Sequence, residues 1–405
     1  MSRFVSLTLL SLALPCVALA QPGAGTFEQV GSFGANPGAL QMHRYIPSPA
    51  PGPGAPVVVA LHGCTQNVTT YRNAGWEPVA DELGFYVVYP AQVSGNNPVS
   101  CFNWAGEYGD EANLRRGQGE NQSIVSMVDQ MQADFGTDPS RVFIMGHSAG
   151  AAMAMVMLST WPDRFAAGGV IAGIPYRCAT SVAGAFSCQS PGVDKTPDAW
   201  ADLVRAASSY GGPWPRLSVW HGTNDGVVSP NNQRELLEQW TALHGLAATP
   251  DATETVDGYP RSTFGGGAIE SWEITGAGHA TFVDPDHGCG ATASYISDAD
   301  ICAVRHMATF FGLGGGPGMP PPSGDAGLVG LMDGGTPSMP PPGTDAGAWS
   351  WGGRDGGTST PMGGDPGQDP GHDPVACGGC SVGAPGATAP AWLAALALLV
   401  FRRRR

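Results

Sequence analysis

Six apolar, β-rich runs of strand length, alternating with stretches long enough for a helix, constrain this chain more than any other feature. They are "APVVVALHG" (55–63), "GFYVVYPAQ" (84–92), "RVFIMG" (141–146), "AAGGVIAG" (166–173), "RLSVWHG" (216–222) and "SWEITGAGH" (271–279). Helical candidates lie near 70–83, 121–135, 149–160, 198–209, 231–244 and 293–311. A strand apolar at every position is buried on both sides, whereas a strand with one wet face alternates. The pattern therefore predicts an α/β fold, a mostly parallel sheet covered by helices on both faces. It occupies residues 21–312, enough for one large core.

The two ends read differently. Residues 1–20 carry Arg3, an apolar stretch from Phe4 to Val17 and the A-x-A site Ala18-Leu19-Ala20. That is a signal peptide, with cleavage expected after Ala20. Pro15 directly before Cys16 fits lipoprotein processing poorly. Residues 313–376 hold an MPPP-x-x-DAG unit twice, at Met319 and Met339, and cannot bury enough apolar surface to offset ordering entropy. An extended spacer is expected there. Residues 377–405 run from Cys377 and Cys380 through an apolar stretch to Arg402–Arg405. This arrangement resembles the C-terminal sorting tails of myxobacterial surface proteins. The resemblance implies processing at Cys380 by a sorting protease and attachment to the cell envelope. A plain membrane anchor, with the arginines held on the cytoplasmic side, is the alternative.

Export changes how the cysteines read. Six lie in the body, and an even number in an exported chain points to disulfides rather than metal-binding thiols. Nearness in sequence favours Cys178–Cys188 and Cys289–Cys302, which leaves Cys64–Cys101.

The chemistry centres on "RVFIMGHSAGAAMAMVML" (141–158). With 60 glycines among 405 residues a G-x-S-x-G match says little by itself, so its context decides. Val142–Met145 supply a strand, and the alanine-rich run from Ala149 supplies a helix able to pack closely. A serine on such a turn is the nucleophile of an α/β-hydrolase fold, which then requires an acid and a histidine further along, in that order. Asp225 follows the strand "RLSVW", and His279 follows the strand "WEI". Ser148 would attack an acyl carbon, His279 would relay its proton, and Asp225 would orient the imidazole. The oxyanion would be met by the backbone N–H of Ala149 and by that of Cys64 in the loop after "VVVALHG".

"LHGCTQN", "GWEPVADELGFYVVYP", "CFNW", "GHSAG", "HGTNDGVV" and "GAGHA" together resemble the polyhydroxybutyrate-depolymerase-type esterases, a family that also holds feruloyl and acetylxylan esterases. The resemblance spans residues 40–311. It implies an α/β-hydrolase fold, with nucleophile, acid and base at Ser148, Asp225 and His279 and oxyanion amides at Cys64 and Ala149. One departure is Ala105, where a bulky aromatic often follows the tryptophan.

Other candidates have plainer roles. Trp104 is a candidate cleft residue and equally a core residue. His62, His147 and His221 fit structural packing better than catalysis. Asp284, Asp286 and His287 lack calcium-loop spacing, and neither a metal nor a cofactor is expected. A net charge of −15 argues against nucleic acid or an anionic membrane surface as partner and favours a neutral substrate. Two ester substrates are expected to compete, a short-chain polyhydroxyalkanoate and a plant cell-wall feruloyl or acetyl ester. A silent surface-binding module would have no need of a complete triad.

Overall fold

The computed structural model describes residues 24–106 and 111–314. The expected signal peptide with Ala20, the spacer beyond Gly314 and the tail with Cys380 lie outside the described residues.

Ten strands form the main sheet: β1 (Thr26–Val30), β2 (Gln41–Ile46), β3 (Val57–Leu61), β4 (Tyr86–Ala91), β5 (Val142–His147), β6 (Ala167–Ile171), β7 (Arg216–Gly222), β8 (Ala252–Val256), β9 (Tyr259–Phe264) and β10 (Ile269–Ile274). A small second sheet pairs β11 (Thr281–Val283) with β12 (Ile296–Asp298). The main order is β1-β2-β4-β3-β5-β6-β7-β10-β9-β8. From β4 through β10 every neighbouring pair is parallel, while β1, β2, β8 and β9 pair antiparallel at the two margins.

The helices are α1 (Val68–Tyr71), α2 (Trp76–Leu83), α3 (Gly119–Phe135), α4 (Ala149–Thr160), α5 (Val182–Gln189), α6 (Pro197–Arg205), α7 (Asn231–Leu243) and α8 (Ala303–Phe311). They cover both faces. Val57, Val59, Ile144 and Val219 pack under α3, α4, α6 and α7. Val58, Val87, Phe143 and Trp220 face the other way, under α1, α2 and α8. Successive residues of a strand thus feed two separate cores, which is why strands such as β3 and β6 carry no polar side chain.

All six apolar runs are strands of the parallel core. The marginal strands carry no such run, because β1 and β8 have no fully buried residue. Two helical expectations need correction. The 70–83 segment divides into α1 and α2 at Gly75, whose φ of 97° ends one helix and starts the next. The 293–311 segment is helical only from Ala303, since β12 and the bonded Cys302 occupy its first part. The structure pairs Cys64 with Cys101, Cys178 with Cys188 and Cys289 with Cys302. Disulfides of this number belong to a chain that folds in an oxidising, extracellular-type compartment.

Candidate active site

Ser148 sits between the last residue of β5 and the first of α4, with φ 56° and ψ −121°. This is backbone that a non-glycine residue adopts only when its surroundings force it. The surroundings are tight. A Cβ on Gly150 would lie 2.4 Å from the Leu61 carbonyl oxygen, and one on Gly146 would lie 2.3 Å from the Gly150 backbone. Small residues on both sides therefore let α4 start hard against β3 and β5. The Ser148 N–H donates to the Ile171 carbonyl at 2.9 Å and pins the turn to β6. Although Ser148 holds the N-cap position, its hydroxyl makes no capping bond to α4. Its oxygen is left available for other chemistry.

β7 and β10 lie side by side and parallel, so the loops after them meet at one edge of the sheet. Asn224 N–H donates to the Ala277 carbonyl at 2.9 Å, and Gly276 N–H to the Thr223 hydroxyl at 2.8 Å. This stitching brings Asp225 and His279 together across 54 residues of chain, with Nδ1 of His279 2.7 Å from Oδ2 of Asp225. A carboxylate only accepts, so Nδ1 carries the hydrogen and Nε2 presents a lone pair. The other oxygen, Oδ1, accepts from the N–H groups of Val227 at 2.8 Å and Val228 at 2.9 Å. Burial alone would raise the Asp225 carboxyl. Hydrogen bonds from His221 and His279 outweigh it and hold the group well below the usual carboxylate range.

The loop after β3 closes on the serine from the other side. A Cβ on Gly63 would stand 3.2 Å from Cβ of Ser148. The loop is held by Gly63 N–H to Gln66 Oε1 at 2.8 Å, by Gln66 Nε2 to the Ser294 carbonyl at 2.7 Å, and by the Cys64–Cys101 bond. Among the described residues neither the Cys64 nor the Ala149 amide donates to an internal acceptor. Two free N–H groups beside a strained serine make a site for negative charge, and the Ala149 amide lies at the positive end of α4.

The remaining histidines separate cleanly. His62 is buried, donates from Nδ1 to the Gly63 carbonyl at 2.8 Å and accepts from Gln92 N–H at 3.2 Å. Burial pushes it down to about 4, so it is a neutral packing residue. His147 is buried with neither ring nitrogen hydrogen-bonded, and burial and the neighbouring His279 hold it well below the ordinary imidazole value. Its ring packs on His279 at 4.6 Å between centroids. Tyr295, which sequence reasoning missed inside the supposed helix, meets the His279 ring edge-on at 5.8 Å. No local motif marks it.

Trp104 is 8% exposed and packs in the core with Phe102 and Ala105. Asp284 accepts from His287 Nδ1 at 2.7 Å and caps the short turn Pro285–His287. Among the described residues no group of three or more His, Cys, Asp or Glu gathers as a metal site.

Comparison with known proteins follows the same lines. A family model described as "Esterase PHB depolymerase" matches residues 40–258. Poly(3-hydroxyalkanoate) depolymerase C of Paucimonas lemoignei is 48% identical over 320 residues, covering 77% of this chain and 76% of its own. Feruloyl esterase B of Talaromyces stipitatus is 35% identical over 274 residues, covering 65% of this chain and 74% of its own. Among solved structures, an acetyl xylan esterase from Aspergillus awamori superposes with a TM-score of 0.60 at 28% identity, covering 71% of this chain and 99% of that one. The chain belongs to the esterase PHB depolymerase family and is an α/β-hydrolase acting on carboxylic ester bonds.

Proposed function

We propose that the protein is an exported polyester depolymerase that cleaves short-chain polyhydroxyalkanoates through an acyl-enzyme on Ser148. The observation that carries the catalytic part is the strained Ser148 turn set beside the Asp225–His279 pair and two unpartnered amides. His279 Nε2 takes the hydroxyl proton as Ser148 Oγ bonds to the ester carbon. The carbonyl electrons move onto oxygen and are met by the Cys64 and Ala149 N–H groups. Collapse breaks the bond to the alkoxy group, which leaves with the proton from His279. Water then repeats the sequence, with His279 as base, and frees the acid. Asp225 stays ionised and holds the imidazole in the required tautomer.

The polyester substrate is supported by the 48% identity to a polyhydroxyalkanoate depolymerase. Cell-wall feruloyl or acetyl esters are the second reading, favoured by the overlay on an acetyl xylan esterase. We also infer that residues 1–20 direct export, that 21–312 form the esterase domain, and that 313–376 act as a spacer. Residues 377–405 would tether the enzyme to the envelope, with Cys380 as the point of processing.

Product release from polyhydroxybutyrate film and from methyl ferulate, measured side by side with Ser148→Ala as control, tests this. Hydroxybutyrate from film alone is the expected result, and ferulate alone would make it a cell-wall esterase. Equal rates for wild type and Ser148→Ala on simple esters would remove Ser148 from the mechanism.

A further inference from the structure

Among the described residues three large apolar side chains stand out by exposure: Val182 at 38%, Phe186 at 52% and Val227 at 38%. Val182 and Phe186 are four residues apart on α5 and so share one helix face. Val227 is two residues past Asp225.

Topology brings the three to the candidate site. β5, β6 and β7 are adjacent and parallel, so their C-terminal ends share one edge of the sheet. Along that edge the chain delivers Ser148 after β5, the segment bearing α5 after β6, and Asp225 with Val227 after β7. The last two are joined directly. Ser229 N–H donates to the Gln189 carbonyl at 2.8 Å, and Asn232 Nδ2 donates to the Cys188 carbonyl at 3.0 Å. The Cys178–Cys188 bond holds α5 in turn to the chain leaving β6. The rim is therefore a fixed part of the site's surroundings.

Its chemistry is one-sided. From Cys178 to Val193 there is no charged residue, in a chain whose net charge is −15. Two aliphatic side chains, one phenyl ring and a run of small neutral residues match a surface of methyl, methylene and ester groups. The three apolar side chains offer nothing to a polysaccharide's desolvated hydroxyls, which need polar partners, while Thr180, Ser181, Ser187 and Ser190 are polar groups of the same segment. A second copy of the chain is a poor occupant. Three side chains fall well short of the roughly 800 Å² per partner that a stable interface buries.

We propose that Val182, Phe186 and Val227 form the surface by which the domain adsorbs to a solid, uncharged aliphatic polyester, laying the candidate site against it. The proposal rests on the polyester reading above and deepens it. Adsorption supplies local substrate concentration. Cleavage remains the work of the triad.

The test uses the full chain carrying Ser148→Ala, so that binding is read without hydrolysis. Adsorption isotherms on polyhydroxybutyrate film are compared with those of the same protein carrying Val182→Ser and Phe186→Ser as well. The expected result is a fall in film affinity of about tenfold or more, with the melting temperature unchanged. In the active background, loss of rate on film should exceed any loss on a soluble short-chain ester by a similar factor. Equal isotherms, or a parent that does not adsorb to film, would overturn the proposal. So would a dimer in solution that the double substitution dissociates. If the parent adsorbs through these residues yet releases nothing from film while still cleaving soluble esters, the polyester substrate is wrong and the adsorption surface stands.

Discussion

Nε2 of His221 lies 3.4 Å from Oδ2 of Asp225, the oxygen that also takes the 2.7 Å hydrogen bond of His279. The same Nε2 is 2.9 Å from the Val228 carbonyl, so it faces two acceptors and must carry the hydrogen. Nδ1 is buried without a hydrogen-bond partner. His221 thus steadies the carboxylate and the loop bearing it. Its replacement by Leu would strand the Val228 carbonyl, at about 1–3 kcal/mol of stability, and lower kcat roughly tenfold. Steady-state kinetics on a soluble ester with a thermal melt checks both. An unchanged kcat would reduce His221 to packing.

The Asp225 carboxyl gives the protein an acid-sensitive element. Its folded-state pKa is depressed, so between that value and the ordinary carboxylate value of about 4 the unfolded chain binds a proton that the folded one does not. Stability from this group is complete above about 4 and is lost as the pH falls toward the folded value. Denaturant unfolding between pH 6 and pH 3 should therefore show a shallower decline for Asp225→Asn than for wild type. The same variant should lose activity by about 10⁴, because the amide permits the wrong imidazole tautomer.

Gly150 has no room for a methyl group. With its Cβ 2.4 Å from the Leu61 carbonyl and 2.5 Å from that of His62, Gly150→Ala must push α4 off the sheet or twist the Ser148 turn. A loss of roughly 1–3 kcal/mol is expected, together with a fall in kcat larger than that caused by an alanine substitution at the exposed Gly226. Wild-type melting and turnover in Gly150→Ala would contradict the close approach.

The Cys64–Cys101 bond closes a loop of 37 residues and anchors a proposed oxyanion amide. Replacing both cysteines by alanine should cost about 3–4 kcal/mol by loop-closure entropy. It should also lower kcat more than it raises KM, by less than the 10²–10³ or so of losing a donor outright. A melt that drops while kcat holds would make the bond a staple for the fold only.

Much of this protein follows from its sequence alone. The strand Val57–Leu61 and the run from Val142 to Met145 are apolar at every position because both faces are buried, and that local pattern needs no partner to be legible. The order of Ser148, Asp225 and His279, each in the segment that follows a strand, is likewise a property of the chain. Edge strands such as Ala252–Val256 were silent, since a largely exposed strand carries little hydrophobic signal. The tertiary structure alone decided what each histidine touches. His62, His147, His221 and His279 each lie near or beyond the C-terminal end of a strand, yet only the pairing of parallel neighbours puts His279 on Asp225. It alone placed Tyr295 against His279 and ranged Val182, Phe186 and Val227 around the edge where Ser148 emerges. Such contacts join residues tens to hundreds of positions apart. They depend on which strands lie side by side, and no local stretch of sequence encodes that.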